Sequence, residues 1–514
     1  MKVSLLASAA ALVGTALADV SPHDPTHMSL FRRTMGGLER RALADFSGVV
    51  NGTFNQLIDH TNPSKGTFKQ RYWYNARYWG GPGYPVFMLN GGESTADDVL
   101  GFFENNTLLY HYAEQFQGAM IIFEHRYYGA SQPFRVMTAE TLQYHTVPQS
   151  IYDNKYFAET AKLGFDKSGG ANAKRSPWVL MGGSYPGALA AWQSVMTPGV
   201  FAAHHASSAV VQAIEDFWQY FTPIEKGLPR GCAADIKLVI AKVDAELTRG
   251  DKTRIAAMKR EFGLESVGDN GDFGHVLSQP IAQWQKDRDE VFKFCNYIET
   301  FANNGRVDQS RVNSGVGLTA AWKGYTSYMQ GKWKNPCFKR QCDWNYNTDA
   351  LNPNLLTDER SWQWQLCNEP FGWWQVGPPN SDGTNIVSSH YRPIHQQRTC
   401  DLYFPEVRGF KPAISEGFTA TQFNDWTKGG WNAPFQNVIF VDGEFDPWKS
   451  ATMSSDYRPG GPSKSTDNTP RFVIKGGGHV PDFVVGVSRE VATVTQKQVQ
   501  IMEKWLKNWK PKKT

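Results

Sequence analysis

After residue 17 the 514-residue chain has no apolar run near the roughly 20 residues a membrane-spanning helix needs, so a spanning protein is not expected. Net charge is small: 53 basic against 49 acidic side chains give +4. Residues 1–42 hold Lys2, Arg32, Arg33, Arg40 and Arg41 against Asp19, Asp24 and Glu39, which leaves 48 against 46 in the remainder. With no sustained basic stripe, there is no electrostatic reason to expect nucleic acid as a partner. Cysteine is sparse, with six in all, and their spacings do not reproduce paired CxxC zinc ligands, so neither a metal nor a cofactor is expected. Internal repeats and low-complexity tracts are missing too, although Pro459 to Pro470 is a polar Gly/Pro/Ser loop. What the chain does have is 41% hydrophobic residues, and 13% aromatic ones, enough to bury a large core and to exclude disordered and collagen-like classes.

The first residues read as an export signal. Met1-Lys2 precedes an apolar run from Val3 to Leu17, and Ala16-Leu17-Ala18 is the small-x-small pattern cut by a signal peptidase. A signal peptide over 1–18 is therefore expected, followed over 19–42 by a pro-segment whose dibasic pairs, Arg32-Arg33 and Arg40-Arg41, offer processing sites. A secreted chain, or one sent to a vacuolar or lysosome-like compartment, would meet glycosylation at Asn51 and Asn105, each in an Asn-x-Thr sequon. It would also pair its cysteines, Cys232, Cys295, Cys337, Cys342, Cys367 and Cys400, and pairing between neighbours is the expectation.

Two textures divide the rest. Short apolar runs at Pro85–Leu89, Ala119–Phe123, Trp178–Met181 and Phe201–Val211 read as strands buried on both faces of a parallel sheet. The pattern returns at Val438–Val441 and Arg471–Ile474, and an amphipathic helix over Ser488–Lys507 closes the chain. Between about 213 and 431 the sequence is helical, Trp-rich and holds every cysteine, with apolar positions three and four apart over Asp235–Leu247 and Ile281–Thr300. The expected organisation is an α/β domain in two parts, 43–212 and 432–514, interrupted by a helical, disulfide-stapled insertion over 213–431.

Just after the run Trp178–Met181 comes Gly182-Gly183-Ser184-Tyr185-Pro186-Gly187, then the helix-like Ala188 to Trp192. Strand, tight turn with Ser at its apex, then helix is the nucleophile elbow of the α/β-hydrolase fold, where only small residues fit between strand and helix. Pro186 stands where that pattern has Gly, and a first-turn helical position tolerates it because no amide donor is needed there. A serine nucleophile needs a histidine base and an acid to orient it, in the chain order Ser, acid, His. Asp442, Glu444 and Asp446 follow the run ending at Val441; Asp446, deeper in the loop and before Pro447, is the preferred acid. Among twelve histidines only His479 follows a late strand through a glycine approach, Gly476-Gly477-Gly478. The oxyanion donors expected are the amides of Tyr185 and of Gly91 or Gly92, with Gly92 taken as the candidate.

These motifs carry a resemblance. Phe54 to His60, Thr67 to Tyr72, Glu124-His125-Arg126-Tyr127-Tyr128-Gly129, Gly182-Gly183-Ser184-Tyr185, Asp446-Pro447-Trp448 and Gly478-His479 resemble the ordered motifs of the S28 serine peptidases. That is the family of lysosomal Pro-X carboxypeptidase, dipeptidyl peptidase II and the secreted fungal prolyl endopeptidases. Cys367 to Phe371, Tyr403 to Glu406 and Arg458 to Pro462 look most like the fungal branch. The resemblance implies a triad of Ser184, Asp446 and His479, an insertion that caps it, and peptide or protein substrates cut on the carboxyl side of proline. Endopeptidase action is the first expectation; a proline-specific exopeptidase and, behind it, a carboxylic-ester hydrolase are the alternatives. A proline ring asks for an aromatic pocket, for which Trp448, Phe371 and Trp374, with Trp373, are the candidates. Glu124, His125 and Arg126 read as a buried ion pair supporting the elbow. Val480-Pro481-Asp482 matches no motif of the family.

Overall fold

The computed structural model describes residues 46–301, 305–306, 311–331, 351–380 and 382–511. The expected signal peptide over 1–18 and pro-segment over 19–42, with Cys337 and Cys342, lie outside the described residues. In chain order the elements are β1 (Val50–Leu57), β2 (Thr67–Asn75), β3 (Val86–Asn90), α1 (Leu108–Phe116), β4 (Ala119–Phe123), α2 (Val147–Thr160), β5 (Trp178–Gly183), α3 (Tyr185–Met196) and β6 (Ala203–Ser207). There follow β7 (Ile214–Asp216), α4 (Arg230–Arg249), α5 (Asn270–Ala282), α6 (Arg288–Phe301), α7 (Leu318–Gly331), α8 (Asp358–Asn368) and β8 (Gly372–Trp374). The last are β9 (Val438–Gly443), β10 (Arg471–Ile474) and α9 (Arg489–Asn508).

The main sheet has the order β1-β2-β4-β3-β5-β6-β9-β10. β1 and β2 form an antiparallel hairpin at one edge, and β4 to β10 run parallel in that order. The central strands are buried on both sides because alternate residues feed two different cores. Phe87 and Leu89 of β3 join one face, with Met120, Ile122, Val179 and Met181; Val86 and Met88 join the other, with Ala119, Ile121 and Leu180. The first face is covered by α1 and α9, the latter through Val491, Val494, Met502 and Trp505. Thr107 and Ser488 start these two helices, each accepting a first-turn backbone N–H on its hydroxyl.

The chain leaves this sheet after β6 and re-enters it at β9. Among the described residues between them only β7 and β8 are strands, and they pair with each other in a separate parallel ribbon. Disulfides join Cys232 of α4 to Cys295 of α6 and Cys367 of α8 to Cys400, both between neighbours in sequence. Three expectations change. The β1–β2 hairpin was not anticipated, because its strands are half exposed and polar. The run Phe201–Val211 is a strand only to Ser207, since Ser208 turns the backbone to a φ of 47°. The helix expected over Ile281–Thr300 is two, α5 ending at Ala282 and α6 starting at Arg288.

Candidate active site

Ser184 stands between β5 and α3 with φ 62° and ψ −129°, a conformation costly for a residue with a Cβ and held here by its surroundings. Its amide donates to Ser207 O on the neighbouring strand at 2.9 Å. The close approach of strand and helix explains the glycines. A Cβ on Gly182 would lie 2.1 Å from Pro186 O, and one on Gly187 would lie 2.8 Å from Ser207 O. Pro186 occupies the first turn of α3, where no hydrogen bond is lost.

Asp446 and His479 come from the loops after β9 and β10, neighbouring parallel strands on the side of β6 away from β5. His479 Nδ1 lies 2.9 Å from Asp446 Oδ1, which also accepts the Trp448 amide at 3.0 Å. Because the carboxylate only accepts, Nδ1 carries the proton and Nε2 keeps its lone pair, the form a base requires. Nε2 is buried and has no hydrogen-bond partner among the described residues. The two other acids on the loop are employed differently. Asp442 is buried, and burial, opposed by bonds from Ser454 and Thr452, pushes its carboxyl up to about 7. Glu444 accepts the Gly476 amide through Oε2 at 2.8 Å, fastening the acid loop to the histidine loop.

Val480-Pro481-Asp482, which the sequence left unexplained, is an anchor. Asp482 accepts from Ser207 Oγ at 2.5 Å, from His205 Nε2 at 2.8 Å and from Gln498 Nε2 at 2.7 Å, all in the interior. Burial alone would raise this carboxyl, but the His205 charge and these bonds outweigh it and hold it below the ordinary range. Val480, at φ 50°, donates its amide to Ser208 Oγ at 2.8 Å. The chain on either side of this anchor is thus tied to the end of β6, immediately beside the strand that presents Ser184. An acid three residues beyond the histidine was the only signal, and without a partner in sequence it could not be read.

The oxyanion candidates fare unequally. The Tyr185 amide is in the first turn of α3 and has no intrahelical acceptor. Gly92 was expected as the second donor; its amide instead donates to Asn90 Oδ1 at 3.1 Å, and that of Gly91 to Phe123 O at 2.8 Å. What Gly92 supplies is room: at φ 76° a Cβ there would lie 2.7 Å from Pro186 Cγ. The next residue, Glu93, escaped the sequence reading. Its carboxyl is wholly buried, its Oε2 lacks a partner among the described residues, and burial pushes it up to about 8. Below that pH it is a neutral acid with a proton to donate, placed one residue from the glycine that packs on the elbow.

The Glu124–Arg126 ion pair expected beneath the elbow is two separate pairs. Glu124 binds Arg71 at 2.5 Å, whereas Arg126 binds Asp153 at 2.5 Å. His125 is the one that reaches the elbow: Nδ1 meets Arg126 O at 2.8 Å and Nε2 meets the Tyr185 hydroxyl at 3.1 Å. Burial lowers this imidazole to about 4, so it is neutral with Nδ1 protonated, and Tyr185 donates to Nε2. Gln365 of α8 donates to the same hydroxyl at 2.7 Å, which links the insertion to the residue after Ser184.

The aromatic candidates form a chain. Phe371 stacks on Trp373 with centroids 4.4 Å apart, Trp373 crosses Trp448 at 6.1 Å, and Trp448 lies 6.5 Å from the His479 ring. Trp374 is buried but has no ring partner among the described residues, so Trp373 takes the place expected for it. Trp448 Nε1 donates to Gln285 of the insertion at 2.9 Å, and Trp284 Nε1 donates to Phe445 O at 2.9 Å. The insertion therefore touches the loop of the acid and, where Arg288 Nη1 donates to Gly476 O at 3.0 Å, that of the histidine.

The family model "Serine carboxypeptidase S28" matches residues 56–501. The chain is 35% identical over 476 residues to "Serine protease vicPb" of Bipolaris victoriae, covering 88% of each. It is 26% identical to "Probable extracellular serine carboxypeptidase" of Arthroderma benhamiae, over 81% of this chain and 59% of that protein. It is 24% identical to "Lysosomal Pro-X carboxypeptidase" of Bos taurus, over 88% and 87% respectively. An elbow serine, an acid and a histidine in family order on an α/β-hydrolase sheet, together with a family match across most of the sequence, place this chain in the S28 family of serine peptidases.

Proposed function

We propose that the protein is an exported peptidase that cuts peptide bonds on the carboxyl side of proline, within peptide chains, through Ser184, His479 and Asp446. The observation carrying the proline preference is the aromatic wall Phe371–Trp373–Trp448, which ends against the His479 ring. A flat apolar ring packed on such faces gains by dispersion and by loss of water from both partners. The bovine relative, a lysosomal Pro-X carboxypeptidase, supports the same residue. The motifs shared with fungal prolyl endopeptidases support internal cleavage.

In this reading His479 Nε2 takes the Ser184 proton as Oγ attacks the carbonyl of the proline. The oxyanion meets the Tyr185 amide, and below pH of about 8 Glu93 sets no negative charge beside it. His479 then protonates the leaving amine, and water hydrolyses the acyl-enzyme by the same steps reversed. Asp446 holds the imidazole in the tautomer this requires. The expected signal peptide supports export, and so does the extracellular relative; Asn51 and Asn105, both exposed, are the proposed glycan sites.

Mass spectrometry of the products from a long peptide with one internal proline tests this. Two fragments meeting after the proline are expected. Removal of terminal residues alone overturns internal action, and cleavage elsewhere overturns the proline preference. A short-chain ester assayed alongside should turn over with lower kcat/KM; the reverse ranking favours an esterase.

A further inference from the structure

Arg288, the first residue of α6, is an arginine whose surroundings are unusual for a cation. Its guanidinium lies over the rings of Trp284, 5.1 Å away, and Phe445, 5.7 Å away. Nη1 donates to Gly476 O at 3.0 Å, in the glycine approach to His479. Nη2 is buried, has no hydrogen-bond partner among the described residues, and is so near the same approach that a Cβ on Gly478 would lie 2.9 Å from it. Among the described residues Arg288 has no ion pair, and the nearest charge acting on it is that of Asp446. A guanidinium withdrawn from water is ordinarily matched by a carboxylate or by a full set of acceptors.

The position says which part of a substrate would supply the missing acceptor. His479 Nε2 must reach the leaving amine, so the residue after the scissile bond is bound on the histidine side of Ser184. The first main-chain oxygen of that residue, two bonds beyond its Cα, would then lie on the side of the Gly476–Gly478 approach to His479, where Arg288 Nη1 already donates to Gly476 O. Trp284 keeps the site rigid by donating to Phe445 O, and Gln285 does so by accepting from both Trp448 Nε1 and Tyr220.

Resting on the peptidase reading above, we propose that Arg288 Nη2 binds the main-chain oxygen of the residue that follows the cleaved bond, a carbonyl in a longer peptide and a carboxylate in one that ends there. Arg288 is then a leaving-side specificity residue supplied by the insertion. A charge-assisted bond of this kind corresponds to roughly 10- to 100-fold in kcat/KM.

The test compares wild type, Arg288→Met and Arg288→Lys on four substrates sharing one blocked acyl part that ends in proline. The first is a p-nitroanilide, whose leaving group has no main-chain oxygen. The others are a peptide one residue longer as free acid, the same as amide, and a peptide several residues longer. For Arg288→Met the ratio of kcat/KM on the peptides to that on the anilide should fall at least about 10-fold, with Arg288→Lys between it and wild type. A larger loss for the free acid than for the amide assigns the carboxylate, and equal losses assign the carbonyl. Equal loss on anilide and peptides reveals a structural role and overturns the assignment, as does no loss. A wild type inactive on every proline substrate overturns the reading beneath it instead.

Discussion

The two halves of the proposed triad are held by different means. Ser184 is fixed by backbone: a positive φ, an amide bond to Ser207, and glycines at 182 and 187 that let helix and strand nearly touch. His479 is fixed by side chains, with Asp446 in front and, three residues on, Asp482 tied to Ser207, His205 and Gln498. β6 serves both, since Ser207 gives its carbonyl to Ser184 and its hydroxyl to Asp482. A backbone-built element tolerates no added atom, whereas a side-chain lattice can lose a bond and persist more loosely.

That contrast breaks first at Gly182. Gly182→Ala puts a methyl 2.1 Å from Pro186 O, and relief requires α3 to move. A loss on the order of 4 kcal/mol of stability is expected, within the range of severe backbone and overpacking changes, seen as a large fall in the thermal midpoint. An unchanged midpoint would show that the elbow is looser than described.

Buried charge bears on both halves, since Asp442 on the acid loop is pushed up to about 7. Near the elbow Glu93 and Glu369 are each pushed up to about 8 by burial, so both hold protons when the unfolded chain has released them near 4.5. Their cost to folding grows as pH rises from about 4.5 and is complete just above 8. Between pH 6.5 and 8.5 the buried histidines His125 and His204, lowered to about 4, are neutral when folded, and because each is half charged at 6.5 when unfolded they oppose this trend by only about 0.4 kcal/mol apiece. Stability should therefore be lower at pH 8.5 than at 6.5, by something on the order of 3 kcal/mol, measured by denaturant unfolding at the two pH values. The opposite order would contradict the burial of these carboxyls. Asp482 behaves inversely: held below the ordinary carboxylate range, its contribution is present above that range and lost as pH falls through its folded value.

At the smaller end, Asp482→Asn exchanges one acceptor for a donor facing His205, Ser207 or Gln498. A cost of about 1–3 kcal/mol is expected for the polar atom left unmatched. If the lattice positions His479, kcat falls about 10- to 100-fold with KM changed less than about 3-fold, and the acid limb of the pH profile moves. A fall in the thermal midpoint with normal kcat would leave the anchor purely structural. Ser208→Ala, which removes only the acceptor for the Val480 amide, should cost kcat less than about 10-fold in the same assay.

The same division governs what could be read beforehand. The elbow is local: strand, glycines, serine and helix follow one another, so each residue's part follows from its neighbours. Asp446 and His479 were legible because each follows an apolar run; Asp446 was preferred to Asp442 and Glu444 for its place before Pro447, and it is the one whose carboxylate lies 2.9 Å from His479 Nδ1. Glu93, Asp482 and Arg288 were not legible. Their meaning comes from burial and from partners far off in sequence, such as His205 for Asp482 or Gly476 for Arg288. Gly92 was expected as an oxyanion donor, but its amide donates to Asn90 Oδ1, a side chain whose rotamer the sequence does not fix. Trp373 and Trp374 were equivalent until the fold gave only one of them a ring partner.

The most direct measurement is active-site labelling with a fluorophosphonate, mapped by peptide mass spectrometry in wild type, Ser184→Ala, His479→Ala and Asp482→Asn. The account predicts a single adduct on Ser184, none in Ser184→Ala, labelling slowed by several orders of magnitude in His479→Ala, and an intermediate rate in Asp482→Asn. An adduct on another serine, or labelling of Ser184 at the wild-type rate without His479, would contradict it.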